Sequence, residues 1–290
     1  GVMGLLLPTL WRWSSRRRFV MMGVLFAVPL ATHLVVWLSD GTLDPRAPFA
    51  ALGASLREQF GAATKSTLDL FARGSSSDYY AWNTAYAVVR PGTYLQSGRP
   101  AKVLALFLLG AWLATTVLPR LSAMRRTLWR TALSGSVVGL LASGIYAAIK
   151  SEARSTFALS TVGLVQTAAY TLGTTPLALA YMALASLAWQ RPALQARLSW
   201  FVPLGRMALS VYLSQTIIQL LLFSSHGARL AGRLPIAMLP LVALAILITQ
   251  RQLCSWWLAT HAQGPVEWLW RRAAYGRTTP RTVCTRRSTT

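Results

Sequence analysis

Apolar blocks close to 20 residues long, separated by short arginine-bearing segments, recur along most of this chain. A helix of that length crosses a hydrocarbon layer ~30 Å thick. In lipid, every backbone N–H and C=O needs a partner inside its own segment or in a closed barrel, and blocks this long and apolar satisfy that only as α-helices. The predicted fold class is therefore all-α, a polytopic transmembrane helix bundle. Charged residues make up only 12% of the 290, and mean hydropathy is +0.43, which is not the composition of a soluble enzyme.

Taken in order, an apolar stub, Gly1–Leu10, is too short to cross alone, and Arg12 with Arg16–Arg18 forms a basic stop after it. Six full spans are expected: Phe19–Leu38, Lys102–Pro119, Thr131–Ile149, Ala158–Trp189, Met207–Ser225 and Ile236–Thr249. The fourth block is too long for one straight crossing, ~32 residues or near 48 Å as helix. Gly173 and Pro176 lie inside it, so a kink or break is expected there. Between the first two spans, Ser39–Ala101 reads as a long polar loop holding five of the seven acids. The tail from Gly276 is rich in Thr and Arg without apolar period, the pattern of a disordered segment. The chain thus divides into 1–18 (end of a span and basic stop), 19–101 (span and long loop), 102–275 (C-terminal membrane domain) and 276–290 (tail).

The net charge of +22 would point to nucleic acid in a soluble domain. Here the arginines sit between apolar blocks, and no nucleic-acid-binding motif is present, so no nucleic-acid partner is expected and membrane topology accounts for the charge. Placing 12–18, 120–130, 190–206 and 251–290 in the cytoplasm puts 18 basic residues there against 11 on the other side. Both ends of the chain are then cytoplasmic and the long loop faces outward. Cys254 and Cys284 show no metal-binding spacing, so no metal is expected.

Few polar groups fall within the spans. His33 is the one ionisable side chain well inside a span, and such a residue is a functional candidate because it is costly to bury; its plainer role is a neutral imidazole hydrogen-bonded to a neighbouring helix. In the fifth span Tyr212, Gln215 and Gln219 share one helical face, with Ser210 and Ser214 on another. Gln166 and Tyr170 lie a turn apart in the fourth span and are the expected partners of that stripe. These groups either line a substrate-binding cavity or act as interhelical hydrogen-bond glue. The long loop carries Tyr79, Tyr80, Trp82, Tyr86 and Tyr94, suited to stacking on a sugar or lipid headgroup or to interfacial anchoring. Near the C-terminus, Trp256, Trp257, Trp268 and Trp270 form an aromatic belt, so Gln263–Tyr275 is expected to lie as an interfacial helix. Glu267 is the one acid on that face, expected to pair with Arg206 or with Arg271 one turn on.

Two stretches carry a family resemblance: Gly205–Gln219, GRMALSVYLSQTIIQ, and Gly264–Arg272, GPVEWLWRR. They resemble the closing region of the YeiB-like bacterial inner-membrane proteins (domain of unknown function 418). Gly205, Arg206, Met207, Ala208, Leu209, Tyr212, Leu213, Gln215 and Thr216 keep the first motif, with Ser210 a mild change and Val211 standing where the family has Asn. Gly264, Pro265, Glu267, Trp268 and Arg271 keep the second. The family's N-terminal spans and their Asp-x-x-Arg-Gly signature are not found, so the chain is expected to lack that part. The resemblance implies location in the bacterial inner membrane and a likeness to polytopic acyltransferases, hence an acyl-CoA donor, a lipid or glycan acceptor, and a bilayer setting in which oligomers can form. Transport of a lipid or small solute, supported by a break at Gly173–Pro176, and a structural role in the cell envelope are the alternatives.

Overall fold

The computed structural model describes residues 2–59, 69–70, 73–152 and 157–276, and the regular structure among them is helical. After two short turns, Val2–Leu5 and Leu7–Trp11, come α1 (Ser15–Leu38), α2 (Ala47–Gln59), α3 (Ser76–Gln96), α4 (Arg99–Arg120) and α5 (Arg125–Glu152). These are followed by α6 (Thr161–Trp189), α7 (Pro192–Arg206), α8 (Ala208–Phe223), α9 (Leu239–Thr260) and α10 (Pro265–Tyr275). The residues form two compact units, Gly1–Thr64 with Tyr80–Gln195, and Lys65–Tyr79 with Ala196–Thr290. Residues 277–290, expected as a disordered tail, lie outside the described part.

Among the described residues five helices are long and apolar enough to cross a membrane, six if the bent pair α7–α8 counts as one span. The six full spans expected are reached only by taking the bent pair as the fifth. There α8 has 16 residues, ~24 Å, less than a hydrocarbon core. It departs from α7 at 76°, with Met207 leaving helical geometry at the junction. The long loop is also not structureless, because it contains α2 and the aromatic-rich α3.

In the first unit, α5 and α6 pack antiparallel through small residues. A Cβ on Gly135 would crowd the Pro176 carbonyl and Ala180, one on Gly139 would crowd Leu177, and one on Gly173 would meet Ser143. Lipid tails are as apolar as leucine, so close backbone approach and dispersion, more than hydrophobic transfer, hold such helices together. Leu128, Ala132, Ala183 and Leu187 continue the contact as a buried cluster. Of the kink or break expected there, a break does not occur: α6 runs as one helix through Gly173 and Pro176. Gly173 is instead spent on close approach to α5, and a single missing N–H is tolerated where a neighbouring helix packs against the proline turn.

A left-handed turn joins α3 to α4 at Gly98 (φ 59°), whose missing side chain lets the chain pass against Pro29 of α1. In α4 a π turn at Leu113–Val117 precedes a closing 3-10 turn at Pro119. Within the loop, Gly53 of α2 rests against Val89 and Ala85 of α3, and Gly92 of α3 against Phe49. Trp82 stacks on Tyr86 at 4.9 Å, and the Arg90 guanidinium covers the same Tyr86 ring.

In the second unit, α9 continues to Thr260, three turns beyond the expected end at Thr249. The polar pair Gln250–Arg251 looks like a span boundary, but Gln250 is buried, and Leu253, Cys254, Trp256 and Trp257 prolong the helix.

Filling the closest α5–α6 contact tests this packing. Gly139→Val should destabilise the protein by about 1–3 kcal/mol, the usual cost of overpacking, read as a lower melting temperature in detergent. Gly144→Val, where a Cβ meets nothing within 4 Å, should leave that temperature within a degree or two.

Candidate functional site

The two ends of the second unit's signature meet in one knot of hydrogen bonds. The first turn of a helix has N–H groups with no intrahelical acceptor. In α8 two of these, on Leu209 and Ser210, donate to Glu267 Oε1 at 2.7 and 3.0 Å. The Ser210 hydroxyl donates to Glu267 Oε2 at 2.5 Å and accepts from the Val266 N–H, in the first turn of α10, at 3.2 Å. Each helix therefore caps the other: a carboxylate from α10 closes α8, and a hydroxyl from α8 closes α10. A carboxylate at a helix N-terminus also meets the positive end of its dipole.

Gly264 makes the approach possible. A Cβ there would overlap Glu267 Oε2 and stand 2.8 Å from Ser210 Oγ. Pro265 follows in the first helical position, where its missing N–H costs nothing. Partial burial works against ionisation of Glu267, but the hydrogen bonds from Ser210 and Leu209 outweigh it and hold the carboxyl below its ordinary 4.5. The expected Glu267–Arg206 pair is not formed. Arg206 Nη2 donates instead to the Ala262 carbonyl at 2.9 Å, tying the α9–α10 loop to the end of α7. Arg271 is exposed, and Arg272 lies over the Trp268 ring at 5.2 Å.

One turn further along α8 is a second polar contact. Gln250 of α9, 3% exposed, donates to Ser214 Oγ (2.8 Å) and the Val211 carbonyl (3.2 Å), and accepts from Gln215 Nε2 (3.3 Å). Gln215 thus has a partner on α9. Tyr212 and Gln219 are exposed, so the expected stripe does not close a cavity within this unit. Beside Gln250, an open groove of about 420 Å³ runs between α8, α9 and α10. Its lining includes Leu213, Ile217, Leu253 and Val266, with Ser214 and Cys254.

The first unit also holds deeply buried polar groups. His33 of α1 is 3% exposed, and its Nδ1 lies 3.4 Å from Thr167 Oγ1 of α6. That hydroxyl donates to the Gly163 carbonyl at 2.9 Å, which leaves its oxygen free to accept an Nδ1–H. The backbone at Ala158 and Ser160 faces the ring, while Nε2 has no hydrogen-bond partner. Gln166, 1% exposed, accepts the Phe157 N–H at 2.7 Å and leaves its own Nε2 unpartnered. Phe157 sits at φ 55°, a left-handed conformation unfavourable for a non-glycine residue. The Gln166 bond and the rings of Tyr146 and Tyr170 hold it there. Lys102 donates to Thr174 Oγ1 at 2.8 Å and lies 4.6 Å over the Tyr170 ring.

Sequence reading missed Gln250 and Thr167. Gln250 was masked by its neighbour Arg251, and Thr167 resembles any threonine bonding back along its own helix. Among the described residues no cluster of His, Cys, Asp and Glu is arranged to hold a metal.

The length and apolarity of these helices make the chain a helical membrane protein. Residues 112–277 match the family described as protein of unknown function DUF418, and the chain belongs to that family. The reciprocal cap lies inside the matched region. Over 75 residues the chain is 37% identical to the uncharacterized protein YxaH of Bacillus subtilis (strain 168). That stretch is 26% of this chain and 19% of the relative, so the similarity spans about a fifth of the relative's length. No solved structure matches significantly.

The cap gives a pH dependence with a definite sign. Because the folded-state pKa of Glu267 is depressed, its stabilisation is complete above 4.5 and is lost as pH falls through the lower folded value. The fall in melting temperature between pH 6 and pH 3 should therefore be smaller in Glu267→Gln than in the wild type. Glu267→Ala and Ser210→Ala should each cost about 1–3 kcal/mol, and the double variant less than their sum.

Proposed function

We propose that the protein takes part in acyl transfer to a hydroxyl on a lipid-linked or extracytoplasmic substrate, in a bacterial inner membrane with both ends of the described chain in the cytoplasm. The observation that carries this reading is His33, a histidine buried among membrane-type helices, anchored through one nitrogen and unpartnered at the other. A general base needs that arrangement: one ring nitrogen oriented by a fixed partner, the other free to meet the proton it removes. An acceptor hydroxyl donating to Nε2 becomes the nucleophile towards the acyl carbonyl. The proton then passes to the leaving group of the donor, an acyl-CoA or an acyl lipid.

Gln166, with a free amide N–H near the same end of α6, is suited to hold the acceptor or the developing oxyanion. Among the described residues Lys102 has no carboxylate partner, and its place over Tyr170 suits the phosphate of a lipid-linked substrate. The stripe on α8 is read as interhelical glue, because Gln215 and Ser214 both bond to Gln250.

Membranes containing the protein, supplied with radiolabelled palmitoyl-CoA or a radiolabelled acyl phospholipid, should incorporate label into lipid or glycan. His33→Gln should lower incorporation by about 100-fold or more with little change in melting temperature, and Thr167→Val by less. Equal incorporation by His33→Gln and the wild type, or none by the wild type from either donor, would overturn the proposal.

A further inference from the structure

We infer that the second unit carries a serine nucleophile, Ser76, activated by His226, forming an esterase-type site separate from the His33 cluster. The two residues are 150 apart in sequence, yet Ser76 Oγ lies 2.5 Å from His226 Nε2. Hydrogen-bond contact between a hydroxyl and an imidazole that can take its proton is the minimal arrangement for an activated serine.

The surroundings fix both partners. Ser75 and Asp78 form a capping box at the start of α3: the Ser75 N–H donates to Asp78 Oδ2 at 3.0 Å, and the Asp78 N–H to Ser75 Oγ at 3.2 Å. Ser76 is then the first residue of a 21-residue helix. The N–H groups of Ser76 and Ser77 have no acceptor inside that helix, and donors of this kind can stabilise an oxyanion on a Ser76-bound carbonyl. His226 sits in the turn after α8. Its N–H donates to the buried Ser224 hydroxyl at 3.3 Å, its Nδ1 faces Ser225 Oγ at 3.4 Å, and Tyr79 packs edge-on against the ring. The free face of the pair is exposed, so an ester at the surface can reach it.

The chemistry balances without any cofactor. Ser76 Oγ attacks the carbonyl carbon of a carboxylic ester, and its proton passes to His226 Nε2. The tetrahedral oxyanion collapses, the bond to the leaving alkoxide breaks, and His226 returns the proton to that alkoxide as alcohol. An acyl ester on Ser76 remains. Water or an acceptor hydroxyl, deprotonated by His226, then releases the acyl group and restores the serine. The substrate class is a carboxylic ester with an accessible acyl group, such as an acylated glycan or lipid.

The test uses the full chain purified in detergent, a biotinylated fluorophosphonate, and p-nitrophenyl butyrate. The fluorophosphonate should label the folded protein, with peptide mass mapping placing the adduct on Ser76. His226→Gln should slow labelling and p-nitrophenol release by about 100-fold, and Ser55→Ala should change neither. If Ser76→Ala fails to fold, the mapped adduct on the wild type still decides. Absence of an adduct on Ser76, an adduct on another serine, or a labelling rate unaffected by His226→Gln would each overturn the proposal and show that the Ser76–His226 bond only fastens the loop. The readout is confined to Ser76 and does not involve His33, so the two proposals fail separately.

Discussion

An unpaired N–H at a helix terminus is costly wherever water is scarce, and the second unit is organised around paying that debt twice at one point. Glu267 and Ser210 exchange caps between α8 and α10, so neither helix start is satisfied without the other. Gly264 is held to glycine by the contact, Pro265 suits the first helical turn it opens, and Arg206 pins the preceding loop through Ala262. Most of the polar and small residues in the two signature stretches thereby acquire a mechanical reason to be there. The start of α8 at Ala208, and its bend from α7, follow from the same constraint: its first N–H groups face the carboxylate instead of continuing into the preceding turn.

The first unit solves a different problem. Its helices present apolar faces that lipid would accept equally well, so their association depends on geometry. Gly135, Gly139 and Gly173 let α5 and α6 approach to backbone contact, where dispersion acts over many atoms. Into this tight packing the chain sets His33, Gln166 and Thr167, each with part of its hydrogen-bonding capacity anchored. Burial with incomplete satisfaction is expensive, and such groups are where chemistry or ligand recognition belongs in a membrane bundle.

The family resemblance and the helical class were legible in residues alone because both rest on local information. Runs of apolar residues define helices, and Gly264–Arg271 or Gly205–Leu209 can be read as strings. Segment ends were less legible. Gln250 beside Arg251 imitates the edge of a span, yet its amide is absorbed by Ser214, Val211 and Gln215 on another helix. Pro176 imitates a break, yet the helix continues because Gly135 and Gly139 supply a surface against which the proline turn packs.

What the sequence determined by itself was the medium and the element type: segments of this length and apolarity have to be helices in lipid, because no other conformation of a single segment satisfies its backbone. What only the tertiary structure decided was which polar group answers which. Glu267 had two arginines within plausible reach and took the N-terminus of α8 instead, where three donors converge on one carboxylate. Gln215 meets Gln250 of α9, and Ser76 meets a histidine 150 residues away. Hydrogen bonds are short and directional, so their partners are fixed by how helices are placed in space, and a one-dimensional pattern of residue types does not carry that placement.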